Sequence, residues 1–128
     1  MKTRTLFAAF LLTITSVLFA QQPKAGADKD AHGCIASAGY TYSLLKKECI
    51  RTFDQKIQLK EIATKGNYTA AVLFNKDQSK AEIFLKEEKK SLILKRAAKG
   101  VWKNTTTYTL TQDKGFVLSK NKKAIYKF

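Results

Sequence analysis

From residue 56 to the C-terminus, apolar and polar positions alternate in short bursts separated by polar turns. The bursts are 56–62 (KIQLKEI), 69–74 (TAAVLF), 81–85 (AEIFL), 91–95 (SLILK), 105–111 (TTTYTLT), 116–118 (FVL) and 124–128 (AIYKF). Successive side chains of a strand point to opposite faces, so runs of this length rich in β-branched and aromatic residues predict strands. Lys86-Glu87-Glu88-Lys89, Gln112-Asp113-Lys114-Gly115 and the Lys/Asn segment 120–123 read as the turns between them. The pattern predicts an antiparallel meander of seven strands, or eight if 50–54 pairs as well. A meander of that size loses its exposed edges by curling into a small barrel or sandwich. Lys60, Lys86, Lys95, Lys120 and Lys127 fall at strand ends or on the expected solvent face, where charge discourages edge-to-edge pairing.

The pattern is different upstream. Residues 6–20 form one apolar run behind Lys2 and Arg4, and Gln21-Gln22-Pro23 ends it. A membrane span needs about 20 apolar residues, so the run reads as a signal peptide cut near Ala20. The protein is therefore expected in the periplasm or outside the cell, and it is not expected to span a membrane. Residues 21–31 are polar and read as a flexible leader, and 32–128 as a single β domain. Within 32–54, Gly33 and Gly39 suit tight turns, and 43–50 is expected to form a short helical turn. Cys34 and Cys49 are the only cysteines, and in an oxidising compartment they are expected to pair. Closing a loop of about 15 residues contributes about 3 kcal/mol in the chain-entropy model.

Charge narrows the partners. The chain holds 24 Lys and Arg against 10 Asp and Glu; without Lys2 and Arg4, a mature chain carries 22 against 10, a formal +12. Residues 99–128 contain seven lysines and only Asp113 as an acid. Such a balance keeps a domain soluble and draws it to acidic surfaces. Export argues against nucleic acid, which leaves an acidic envelope component or protein. Trp102 lies between Lys99 and Lys103 in a segment read as a loop with Gly100, so it is a candidate contact residue. The expected binding face comprises Lys99, Trp102, Lys103, Lys120, Lys122 and Lys123 of a monomer.

Catalysis has little support. His32 is the single histidine; Asp28, Asp30 and His32 could face one cation, but a lone Asp-x-Asp-x-His is a weak ligand set. Ser37 and Ser43 lack a nucleophile elbow, and Glu87-Glu88 sits in a lysine-rich turn where carboxylates stay solvated. No catalytic residue, cofactor or metal is expected.

Two resemblances add to this reading. Residues 30–42 (DAHGCIASAGYTY) resemble a motif of small exported bacterial proteins of unassigned function. Related versions carry a tryptophan and a further cysteine where Tyr42 and Ser43 stand here. Residues 80–128 are similar in layout to inhibitors of c-type lysozyme, through Lys80-Ala81-Glu82-Ile83, the stretch 92–101 (LILKRAAKGV) and 119–124 (SKNKKA). That resemblance implies an eight-stranded barrel that inserts a loop into the enzyme cleft, with a serine and a lysine against the catalytic carboxylates. Lys120 matches the lysine, whereas Lys99 occupies the serine position, and an ammonium cannot reproduce a hydroxyl's neutral hydrogen bonds. A basic inhibitor would also meet long-range repulsion from a basic lysozyme.

Overall fold

The computed structural model describes residues 28–105 and 107–128. The expected signal peptide, 1–20, and most of the expected leader lie outside the described residues. A small hairpin, β1 (Tyr40–Ser43) and β2 (Glu48–Arg51), precedes eight strands that close into a barrel. These are β3 (Ile57–Glu61), β4 (Thr69–Phe74), β5 (Lys80–Phe84), β6 (Leu92–Ala98), β7 (Val101–Lys103), β8 (Tyr108–Gln112), β9 (Phe116–Lys120) and β10 (Lys123–Lys127). Each strand pairs antiparallel with the next, and β10 returns to β3 through Tyr126↔Glu61 and Lys127↔Lys60. Short 3₁₀ turns at Ala36–Ala38 and Thr52–Asp54 flank the hairpin.

The predicted meander is thus present as a closed barrel, with two differences of detail. The eighth barrel strand is β7, a segment read as loop, and not 50–54. Gly100, at φ +70°, turns the chain so sharply after Ala98 that Val101–Lys103 folds back between β6 and β8. A side chain there would bring its Cβ to 2.8 Å from the Gln112 carbonyl oxygen. The second difference is at 43–50, expected to be helical. It holds the end of β1, the turn 44–47 and most of β2, because Thr41, Tyr42 and Ser43 pair with Ile50, Cys49 and Glu48 across that turn.

One side chain per pleat points inward. Leu59, Val72, Ile83, Leu94, Leu110, Leu118 and Tyr126 fill the barrel, as expected for eight strands, whose interior is just wide enough for side chains. Trp102, Phe74 and Phe116 plug one end. A second apolar cluster lies outside the barrel wall, where Leu45 and Ile50 of the hairpin region cover Ala71, Leu73 and Phe84 of β4 and β5. Glu82 sits in that joint, fully buried. Its carboxylate accepts hydrogen bonds from the Ser43 hydroxyl (2.6 Å), the Leu44 and Leu45 amides (2.8 and 3.2 Å) and the Ser91 hydroxyl (2.5 Å). The Cys34–Cys49 disulfide, with Cα atoms 5.5 Å apart, ties the preceding segment to β2.

Candidate functional site

In an up-and-down barrel, alternate loops gather at opposite ends. The β3–β4, β5–β6, β7–β8 and β9–β10 connections share one end, here called upper; β4–β5, β6–β7 and β8–β9 share the lower end. This arrangement separates the residues predicted as one face. Lys99 lies in the β6–β7 turn at the lower end, whereas Lys120, Lys122 and Lys123 belong to the β9–β10 hairpin at the upper end. Lys99 and Lys120 therefore cannot enter one cleft through one loop.

Trp102 does not belong to any exposed face. It is 1% exposed, tilted against Phe74 and Phe116, and its indole N–H donates to the Gln78 carbonyl at 2.7 Å. The physical reason is the Gly100 turn: pairing with Leu110 on β8 points Trp102 inward, where an indole buries the largest apolar area. A three-residue alternation, Val-Trp-Lys, was the only sequence signal for this, and it is too short to separate strand from loop.

Lys103, the outward neighbour of Trp102, lies on an exposed face. It stands directly opposite Lys95 on β6, which in turn stands opposite Lys80 on β5. Their neighbours Ala81, Leu94 and Trp102 are buried inside the barrel, so the three lysines share its outer face. Adjacent strands are about 4.8 Å apart, so three ammonium groups rise from one row. The row continues through Thr109 and Ser119 towards the β9–β10 hairpin. Among the described residues the ion pairs are Arg51–Asp54 and Lys86–Glu61; none involves this row or the hairpin lysines. Lys80 and Lys95 were not recognised as site residues from the sequence, because a cross-strand row depends on register.

The upper end carries a second feature. A depression of about 370 Å³ is lined by Glu61, Ile62, Glu87, Lys120, Lys123 and Tyr126, with Tyr108 beside them. The Tyr126 hydroxyl donates to Glu87 (3.0 Å) and the Tyr108 hydroxyl to Glu88 (2.8 Å). Burial, followed by the neighbouring carboxylate, pushes both phenols above their ordinary range. Lys120 lies over the Tyr108 ring at 5.2 Å from its centroid, and the Tyr108 hydroxyl pushes the ammonium's pKa further up. These tyrosines hold the β5–β6 connection across the barrel end, so Glu87 and Glu88 are latch residues. Glu61 is lowered, first by the Thr64 hydroxyl and also by Lys86.

The remaining candidates are engaged structurally. The Asp30 carboxylate accepts the His32 and Cys34 amides, and Asp28 accepts the Ser37 amide and hydroxyl. Among the described residues, no group of three or more His, Cys, Asp or Glu is placed to hold a metal ion. His32 stacks on Tyr42 with ring centroids 3.6 Å apart, and Ser43 is held by Glu82, so neither serine meets the imidazole in a nucleophilic dyad. No protein-family model, curated protein or solved structure matches this chain.

Proposed function

We propose that this chain is an exported, non-catalytic binding protein whose basic outer face takes an acidic envelope component or protein. The observation that carries the reading is the row Lys80, Lys95 and Lys103 on adjacent strands, together with Lys122 and Lys123 at the hairpin. Like charges placed directly opposite one another destabilise a sheet. A locally unfavourable arrangement that no ion pair among the described residues relieves fits a surface that is completed by an external anion. The disulfide supports export, since such bonds persist in oxidising compartments.

The test is retention of the disulfide-bonded protein on a sulfated matrix under a salt gradient. Lys95→Glu with Lys103→Glu should elute at clearly lower salt while folding at least as stably as the parent. An unchanged elution point would remove the face from the mechanism.

A second reading is favoured by the closed eight-stranded barrel, the fold implied by the lysozyme-inhibitor resemblance. In this chain it would act through Lys120 and the β9–β10 hairpin alone, without Lys99. Stoichiometric inhibition of a c-type lysozyme that disappears in Lys120→Ala supports it; full enzyme activity at micromolar excess ends it.

A further inference from the structure

Between the N-terminal hairpin and the β5–β6 connection runs a groove separate from the lysine row. Two adjoining hollows, about 350 Å³ and about 270 Å³, share Thr41, Lys89, Lys90 and Ser91 as a common wall. The outer hollow is closed on one side by His32 and Tyr42, stacked 6° from parallel. Thr52 and Thr69 add hydroxyls to the inner hollow. We propose that this groove binds a short stretch of an acidic saccharide bearing carboxylates, a polyuronate.

The chemistry of the lining carries the choice. Lys89 and Lys90 are exposed, and among the described residues neither has a carboxylate within ion-pair distance. The acids along the groove have other partners: Asp30 holds two backbone amides, and Glu88 accepts the Tyr108 hydroxyl. The two ammonium groups are thus available to sugar carboxylates through charge-assisted hydrogen bonds. His32 and Tyr42 line the outer hollow as a stacked pair; a ring face left outside that stack suits the apolar face of a sugar ring, and the flanking hydroxyls suit its hydroxyl groups. Inorganic phosphate would use the lysines and leave the aromatic wall idle. A neutral sugar would use the wall and leave the lysines idle. Only a ligand that combines ring and charge uses both.

The wall is also held in place. Ser91 donates to buried Glu82, and the tyrosine latches fix Glu87 and Glu88, which immediately precede Lys89 and Lys90 in the chain. The hairpin side is anchored to the same Glu82 through Ser43. Both sides therefore hang from one carboxylate, which limits the ordering required when a ligand binds.

The test is calorimetric titration of the disulfide-bonded protein with oligogalacturonate, its carboxyl-reduced neutral counterpart and inorganic phosphate. Oligogalacturonate should saturate one site, with both comparison ligands at least about tenfold weaker, the scale expected from losing one charge-assisted hydrogen bond. Lys89→Ala with Lys90→Ala should weaken oligogalacturonate about tenfold or more. His32→Ala should weaken it by a smaller factor, and Lys95→Glu with Lys103→Glu should leave the site occupied. Failure of oligogalacturonate to bind overturns the proposal without touching the outer-face reading. Equal affinity for the neutral sugar or for phosphate overturns it too. Binding that survives loss of Lys89 and Lys90 but disappears on reversing Lys95 and Lys103 assigns the ligand to the outer face instead.

Discussion

Glu82 is the residue on which the two parts of the molecule meet. A carboxylate removed from water is costly unless its oxygens are hydrogen-bonded, and here two hydroxyls and two amides satisfy them. Removing the acceptor strands those donors at a buried joint. Glu82→Ala should therefore destabilise by about 3 kcal/mol, combining lost hydrogen bonds with unsatisfied amides. Denaturant unfolding checks the magnitude, and amide exchange should show the β1–β2 hairpin losing protection before the barrel does. Within the strand pattern, Glu82 looks like any outward-facing polar residue between Ala81 and Ile83. Its burial depends on the hairpin that covers it, some 40 residues earlier in the chain.

At the scale of elements, the β5–β6 connection shows how a charged turn becomes an ordered wall. Lys86-Glu87-Glu88-Lys89 is a solvated turn by its sequence alone. In the fold its carboxylates accept from Tyr126 and Tyr108, whose rings rise from the barrel interior. Both phenols have folded-state pKa values above the ordinary value of 10.0. Their contribution to stability is complete below that ordinary value and is lost as pH rises towards the folded values, because the unfolded chain releases those protons first. The parent should lose stability above about pH 10, and Tyr126→Phe should show a shallower loss over that range. A pH series of urea unfolding curves measures this, and identical slopes would remove Tyr126 as the titrating group. The same latch places Lys89 and Lys90 beside the hairpin, so the element links the barrel core to the groove.

Over the whole molecule, local signals and long-range contacts divide cleanly. Alternation of apolar and polar residues, together with Gly, Asn and Asp at turns, is written within a few neighbouring positions. It made the mostly β meander, the disulfide and the β8–β9 and β9–β10 turns legible, and the barrel agrees with them. Asn121 and Lys122 both adopt positive φ in the last turn, a conformation matched to the twist of a two-residue hairpin. Three features were not legible. Trp102 entered the core because β7 found partners on both sides, the lysine row required the register of three strands, and the separation of Lys99 from Lys120 followed from counting that short strand.

The sequence by itself determined the strand-forming pattern, the turn positions, the basic charge and the pair of cysteines, since each is a property of residues or of near neighbours. Tertiary structure decided which side chains share a surface. Closure of β10 on β3 and docking of the hairpin over Glu82 join segments distant in the chain, and their geometry rests on pairing register and mutual burial, which no local window contains.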